Sequence, residues 1–284
     1  MIFWIASYPK SGNTWVRSML SSYYYSNNGV FNQKLLSKIG QFPQEKYFYD
    51  YEYDKTKVGD NSRFWIKAQE KINKDKKLKF FKTHNAFGAL NNNHFTDNKN
   101  SIGVIYIIRD PRNVITSLMN HYELDNEQAI KWMTNEKNYI YDVINFDEDG
   151  YSDFQFISSW NTNYKSWLLQ KKIPIKFIKY EDLLNQTFTV FKDVINFINI
   201  TTRNNEKIKI DKLKNSINTT FFDKLQDMEK KNGFSEAITS KKNNKKIPFF
   251  NMGPKNDWKK VLDKNLINRL NDHFEKNLIE LSYY

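Results

Sequence analysis

The chain opens on an unbroken apolar run, Ile2-Phe3-Trp4-Ile5-Ala6, that Pro9 and Gly12 bring to an end. So short a run, rich in β-branched and aromatic residues and closed by turn formers, predicts a strand buried on both faces that enters a tight loop. From Thr14 the spacing changes: Trp15, Val16, Met19, Leu20 and Tyr23 recur at helical intervals, with Thr14 in the cap position. The unit is strand, loop, helix. A similar unit recurs at 104–108, Val-Ile-Tyr-Ile-Ile, followed by Arg109-Asp110-Pro111 and a helical run through Val114, Ile115, Leu118 and Met119. Pro111 suits the first turn of that helix. Lys79–Thr83 and Ile175–Lys179 predict further strands, the second leading through Tyr180-Glu181-Asp182 into a helix over 183–197. A helix is also predicted over 154–169, where Phe156, Ile157, Trp160, Tyr164, Trp167 and Leu168 form an aromatic core stripe. The stretches 27–77 and 135–151 are polar and irregular, and predict loops on the substrate side.

Strands alternating with helices predict an α/β fold, a three-layer sandwich with a central, mostly parallel β-sheet covered on both faces. The length predicts one domain over residues 1–284.

Composition narrows the function classes. An apolar fraction of 39% with 16% aromatics excludes a disordered or low-complexity chain. The formal charge of +12 invites a polyanion-binding reading, yet only six of the 44 basic residues are Arg, and the lysines lie scattered among many Asn. That pattern is a solvated lysine surface rather than a dedicated nucleic-acid face. With no cysteine, a disulfide, a thiolate metal site and a Cys nucleophile are all excluded. The first apolar run is too short for a signal-peptide core or a membrane span, so a cytoplasmic protein is expected.

The candidate chemistry begins in the first loop. Tyr8-Pro9-Lys10-Ser11-Gly12-Asn13-Thr14-Trp15 joins a strand to a helix, where backbone N–H groups and the positive helix end favour a phosphate. Gly12 permits close approach, Lys10 adds a point charge, and Ser11, Asn13 and Thr14 offer side-chain donors. Lys precedes Gly here, the reverse of the nucleoside-triphosphatase pattern. Alone, the octamer leaves several nucleotide enzymes open.

This residue order resembles that of the sulfotransferases that use 3′-phosphoadenosine 5′-phosphosulfate, whose fold is like that of the P-loop nucleoside triphosphate hydrolases. Further segments resemble the family in its order, from residue 2 to about 259. Phe81-Lys82-Thr83-His84 looks like its Lys-Thr-His segment, which implies that His84 is the catalytic base and that Lys82 holds the transferring group, with Lys10 acting at the leaving oxygen. Arg109 and Ser117, eight residues apart, resemble its 3′-phosphate binders, while Tyr180 and Trp15 would lie at the adenine. Thr219-Thr220-Phe221-Phe222 resembles a further cofactor-side segment that assigns Thr220. Arg112 reads as a solvated helix residue.

Near the C-terminus, Gly253, Asp257 and Trp258 keep the family pattern, but Asn251 and Met252 stand where it has Arg and Lys. A second clamp on the 3′-phosphate would then fall to Lys255 or to the 241–246 lysine cluster. The resemblance implies sulfuryl transfer to a hydroxyl or amine on a small molecule, glycan or lipid headgroup, leaving adenosine 3′,5′-bisphosphate and requiring no metal. Asp147-Glu148-Asp149 reads as a solvated acidic loop. The competing expectations are a P-loop-type kinase, which would consume ATP with a metal, and a non-catalytic nucleotide or polyanion binder with steep salt dependence.

Overall fold

The computed structural model describes residues 1–240 and 242–284. Five strands, β1 (Ile2–Ser7), β2 (Gly40–Gln41), β3 (Lys79–Thr83), β4 (Ser101–Ile108) and β5 (Ile175–Lys179), pair in parallel in the order β2-β3-β1-β4-β5. The central strand β1 is buried at every position, as its unbroken apolar run requires of a strand covered on both faces.

The alternation of side chains along β1 divides the core. Trp4 and Ala6 point to one face, where they join Phe42, Phe81 and Phe95. That face is covered by α2 (Trp65–Ile72), α3 (Pro111–Tyr122), α4 (Asn126–Thr134), α5 (Trp160–Leu169) and α10 (Lys264–Glu280). Phe3 and Ile5 point to the other, against α1 (Asn13–Tyr25), α6 (Tyr180–Asn185), α7 (Thr187–Thr202) and α8 (Ile210–Asn218). Helix, sheet and helix make the three predicted layers. A smaller apolar cluster, Leu36, Leu225, Phe234, Ala237 and Phe250, lies apart and includes the start of α9 (Phe222–Asn232). No described helix is long and apolar enough to cross a membrane.

Several predicted elements are redrawn by local chemistry. The helix expected over 154–169 begins only at Trp160, because Ser159 caps it by accepting from the Thr162 amide and Ser158 adopts a φ of 58°. Upstream, Gln155–Phe156 instead pairs antiparallel with Tyr139–Ile140. The helix expected over 183–197 is two, α6 and α7, with Gln186 leaving helical geometry between them. Within 27–77 lie a 3-10 turn at Gln33–Lys38, edge strand β2 and α2. Thr14 does not cap α1; Gly12 holds that position, in left-handed backbone.

Arg112, expected in solvent, is buried. Its guanidinium pairs with Asp110 at 2.8 Å, donates to the Tyr283 carbonyl at 2.6 Å and lies 4.0 Å from the centre of the Trp258 ring. Asp110 also caps α3 through the Arg112 amide, so this pair pins the helix start against the C-terminal segment.

Because all five strands run in parallel, their carboxyl ends share one edge. Residue 8, Lys82 to His84, Arg109 and Tyr180 all follow or end strands there, the place where open α/β sheets bind ligands.

Candidate active site

At the end of β1 the chain turns sharply, with Lys10 at a φ of 64° and Gly12 at 100°. The Gly12 carbonyl accepts from the amides of Trp15 and Val16, at 3.1 and 3.2 Å, which starts α1. A Cβ at residue 12 would lie 2.6 Å from Tyr180 Cδ2, so both the left-handed backbone and the packed ring select glycine. Asn13 turns inward: its amide donates to the Ile5 carbonyl at 2.9 Å and to Ser7 Oγ at 3.2 Å, fixing the loop to β1. Asn13 also borders the cavity, with its side-chain amide donating into the fold. Ser11 is buried with no partner for its hydroxyl.

At the end of β3, His84 Nδ1 lies 2.8 Å from the Ser7 carbonyl. A carbonyl only accepts, so Nδ1 carries the proton and Nε2 keeps its lone pair. Gln155 Oε1 accepts from the His84 amide at 2.7 Å, and Asn163 donates to the His84 carbonyl at 3.0 Å. The hairpin that interrupted the expected helix thus helps fix this imidazole. Burial, with the adjacent Lys82 charge, pushes the His84 pKa down to about 3. Burial also lowers Lys82 and brings Lys10 down to about 7, the latter opposed by Glu236 and assisted by Lys82 and Arg109. The Lys10 ammonium sits 4.0 Å from the centre of the Phe249 ring.

Arg109 follows β4 and donates to the Lys10 carbonyl at 3.1 Å and to Ser117 Oγ at 3.5 Å. Its guanidinium lies 4.2 Å from the centre of the Tyr180 ring, a cation–π arrangement. Trp15 meets Tyr180 edge-on, centroids 5.8 Å apart. The C-terminal segment closes on this group through Asn256, which donates to Ser117 Oγ at 3.2 Å and accepts from Thr116 at 2.7 Å. Gly253 has a φ of 52°, and a Cβ there would lie 2.2 Å from the Phe222 ring.

These groups border one cavity of about 710 Å³. Lys10, Arg17, Lys82 and Arg109 supply positive charge along its wall. Arg109 Nε and Trp15 Nε1 are buried without partners. Unspent donors, an aromatic pair and clustered cations fit an anionic purine nucleotide. Both polar stretches expected on the substrate side reach the same cavity, through Gln41 and Gln44 and through Tyr141 and Asp142. Asp153, beside them, accepts from the Asp142 amide at 3.0 Å, and burial raises its pKa to about 6.

Three expectations do not reach the wall. Thr220 is buried and donates back to the Ser216 carbonyl at 2.7 Å, closing its own turn, while its neighbours Phe221 and Phe222 face the cavity. Lys255 is exposed on a short 3-10 turn, and Asn251, Met252 and Asn256 line the cavity instead. Of the 241–246 cluster, Lys241 lies outside the described residues, and Lys242, Lys245 and Lys246 border a separate surface hollow with Met119 and Glu123.

Sequence reasoning missed Glu236. Its carboxylate accepts from Arg17 Nη1 at 2.6 Å and Thr14 Oγ1 at 2.9 Å, and pairs with Lys82 Nζ at 3.6 Å. Burial alone would raise its pKa, but Lys82 and Arg17 pull it well below the usual carboxylate range. It lies 222 residues from Thr14 in a segment without periodicity, so no local pattern marks it. His121 was missed too; it lines the cavity, and burial with the Lys10 charge lowers its pKa to about 3.

Comparison with known proteins agrees with this architecture. The sulfotransferase domain family matches residues 2–282. Rat sulfotransferase 1A1 is 22% identical over 283 residues, covering 98% of this chain and 85% of that protein. Among solved structures, retinol dehydratase with retinol and PAP aligns with a TM-score of 0.58 at 13% identity, over 98% of this chain and 81% of that one. Retinol dehydratase with androsterone and the inactive cofactor PAP gives 0.57 at 12%, over 98% and 80%. Mouse sulfotransferase SULT7A1 with PAP gives 0.52 at 18%, over 98% and 82%.

Proposed function

The chain belongs to the sulfotransferase domain family, and on that premise we propose that His84 is its general base, working beside a donor held by Lys10, Lys82 and Arg109. The donor is 3′-phosphoadenosine 5′-phosphosulfate, which supplies an activated sulfuryl group and departs as adenosine 3′,5′-bisphosphate. The observation that carries this reading is the His84 ring: Nδ1 is committed to the Ser7 carbonyl, so Nε2 is the atom that can take a proton from an acceptor.

The remaining roles follow from charge and position. Lys10, next to the turn that begins α1, balances negative charge on the departing phosphate. Lys82 and Thr14, with the loop amides, hold the sulfuryl and 5′-phosphate oxygens. Arg109 and Ser117 form a planar donor fork and a hydroxyl for the 3′-phosphate, with Asn256 orienting Ser117. Trp15 and Tyr180 supply ring faces for the adenine.

Retinol dehydratase forms complexes with the small molecules retinol and androsterone, and we assign a small hydroxyl- or amine-bearing acceptor to this chain. Gln41, Gln44, Tyr141, Asp142 and Asp153 give its acceptor wall hydrogen-bonding character. The test incubates the protein with donor labelled in the sulfuryl group and a metabolite extract, without added metal. Label appearing in a small molecule is expected. No transfer to any fraction, with metal-dependent ATP consumption instead, would assign the site to a kinase.

A further inference from the structure

The cradle that would receive the donor already holds an anion, and the chain itself supplies it. Glu236 engages Thr14 and Lys82, two of the groups that the donor needs, together with Arg17. Of the three partners, Arg17 is the most firmly tied elsewhere, since it also donates to the Ile39 carbonyl at 3.2 Å and its side chain is only 6% exposed. The Glu236 side chain is 23% exposed, and Lys82 is 14% exposed, so both retain access to the cavity. Residues around Glu236 are anchored: Phe234 and Ala237 are buried in the apolar cluster that also includes Leu225 and Phe250. Displacing the carboxylate therefore calls for a change of side-chain rotamer, with the segment staying in place.

We propose that Glu236 is an internal stand-in for the donor's anionic groups, which releases Thr14 and Lys82 when the donor enters while Arg17 retains it. This rests on the donor reading above. The physical reason is charge. Lys10, Arg17, Lys82 and Arg109 share one poorly solvated cavity, and a carboxylate among them offsets their mutual repulsion while no ligand is present. Once phosphate and sulfuryl oxygens arrive, the same carboxylate becomes a like charge beside them. The carboxylate thus competes with donor and product alike for the cradle, and acts as a positioning residue.

Calorimetric titration of adenosine 3′,5′-bisphosphate into wild type and Glu236→Gln tests this directly. Removing the competing charge should tighten product binding at least about ten-fold. Unchanged affinity would mean that the carboxylate does not stand in the ligand's way, and weaker binding that it braces the cradle; either overturns the proposal. A wild-type protein that does not bind the bisphosphate would instead overturn the donor reading itself. Should Glu236→Gln fail to fold, a crystal structure of the wild-type complex decides. The Thr14–Glu236 hydrogen bond should be lost and the Arg17–Glu236 pair kept, whereas an intact Thr14 contact would refute the displacement.

Discussion

Lys10 offers the most quantitative test of the donor site, because its charge in the free protein is poised near neutrality. Burial brings its pKa to about 7, from an ordinary value of 10.5. An anionic ligand favours the ammonium form, so binding must raise that pKa. Below pH 6 the lysine is protonated whether or not the ligand is bound, and it takes up no proton. Above pH 7 the free lysine is mostly neutral, and binding must draw a proton from solvent. A pKa near 7 gives an uptake of roughly 0.1 proton at pH 6, 0.5 at pH 7 and 0.9 at pH 8. Affinity should then fall nearly ten-fold between pH 8 and pH 9, where the ligand's phosphates are already fully ionised. Calorimetry with adenosine 3′,5′-bisphosphate in two buffers of different ionisation heat measures this number. His84 and His121, both near 3, are silent in this range. Lys82 is shifted in the same direction as Lys10, so the control is Lys10→Arg, which keeps its charge at every pH tested. That variant should lose most of the uptake. Uptake below about 0.3 proton at pH 8, or the same uptake in Lys10→Arg, would refute the poised-lysine argument.

Two other substitutions separate chemistry from architecture. His84→Ala should lower kcat by about 10²–10⁴-fold while leaving bisphosphate affinity unchanged, and full retained turnover would remove His84 from the reaction. Since His84 is already neutral well below pH 6, wild-type turnover should show no step near an ordinary histidine pKa; a step that disappears in His84→Ala would contradict the assigned state. Arg112→Ala, at a residue that does not line the cavity, leaves the Asp110 carboxylate buried and unpaired, and should cost about 3–5 kcal/mol in urea unfolding. A loss below about 1 kcal/mol would mean that water reaches Asp110, and the Asp110→Ala/Arg112→Ala pair should recover part of the difference.

Much of this was legible in the chain because it is written locally. β1, the glycine turn and α1 lie within 25 residues, and each announces itself by its own spacing. His84 and Arg109 follow strands, as the spacing of their segments predicts, and parallel strands bring their ends to one edge wherever they pair. What could not be read depends on distant partners. Arg112 carries the composition of a solvated helix residue; its burial comes from Trp258, Asn271 and Tyr283, which arrive with the C-terminal segment. Glu236 and Asn256 sit in irregular backbone, and they acquire a role only by meeting Arg17 and Ser117 across the fold. Thr220 failed for the opposite reason. Its own turn supplied an acceptor before any ligand could, a competition that Thr hydroxyls enter routinely near helix ends.

The left-handed backbone at Lys10 has one more consequence. It turns the residue so that its ammonium rests over Phe249 while its carbonyl receives Arg109. One amino acid therefore acts twice, as a charge through its side chain and as a strut through its main chain. Replacing the side chain should leave the strut standing, so charge and chemistry at position 10 can be rewritten without dismantling the opposite end of the nucleotide site. Inserting even one residue into this loop would do the reverse, keeping every functional group in the sequence while uncoupling the two ends of the cavity.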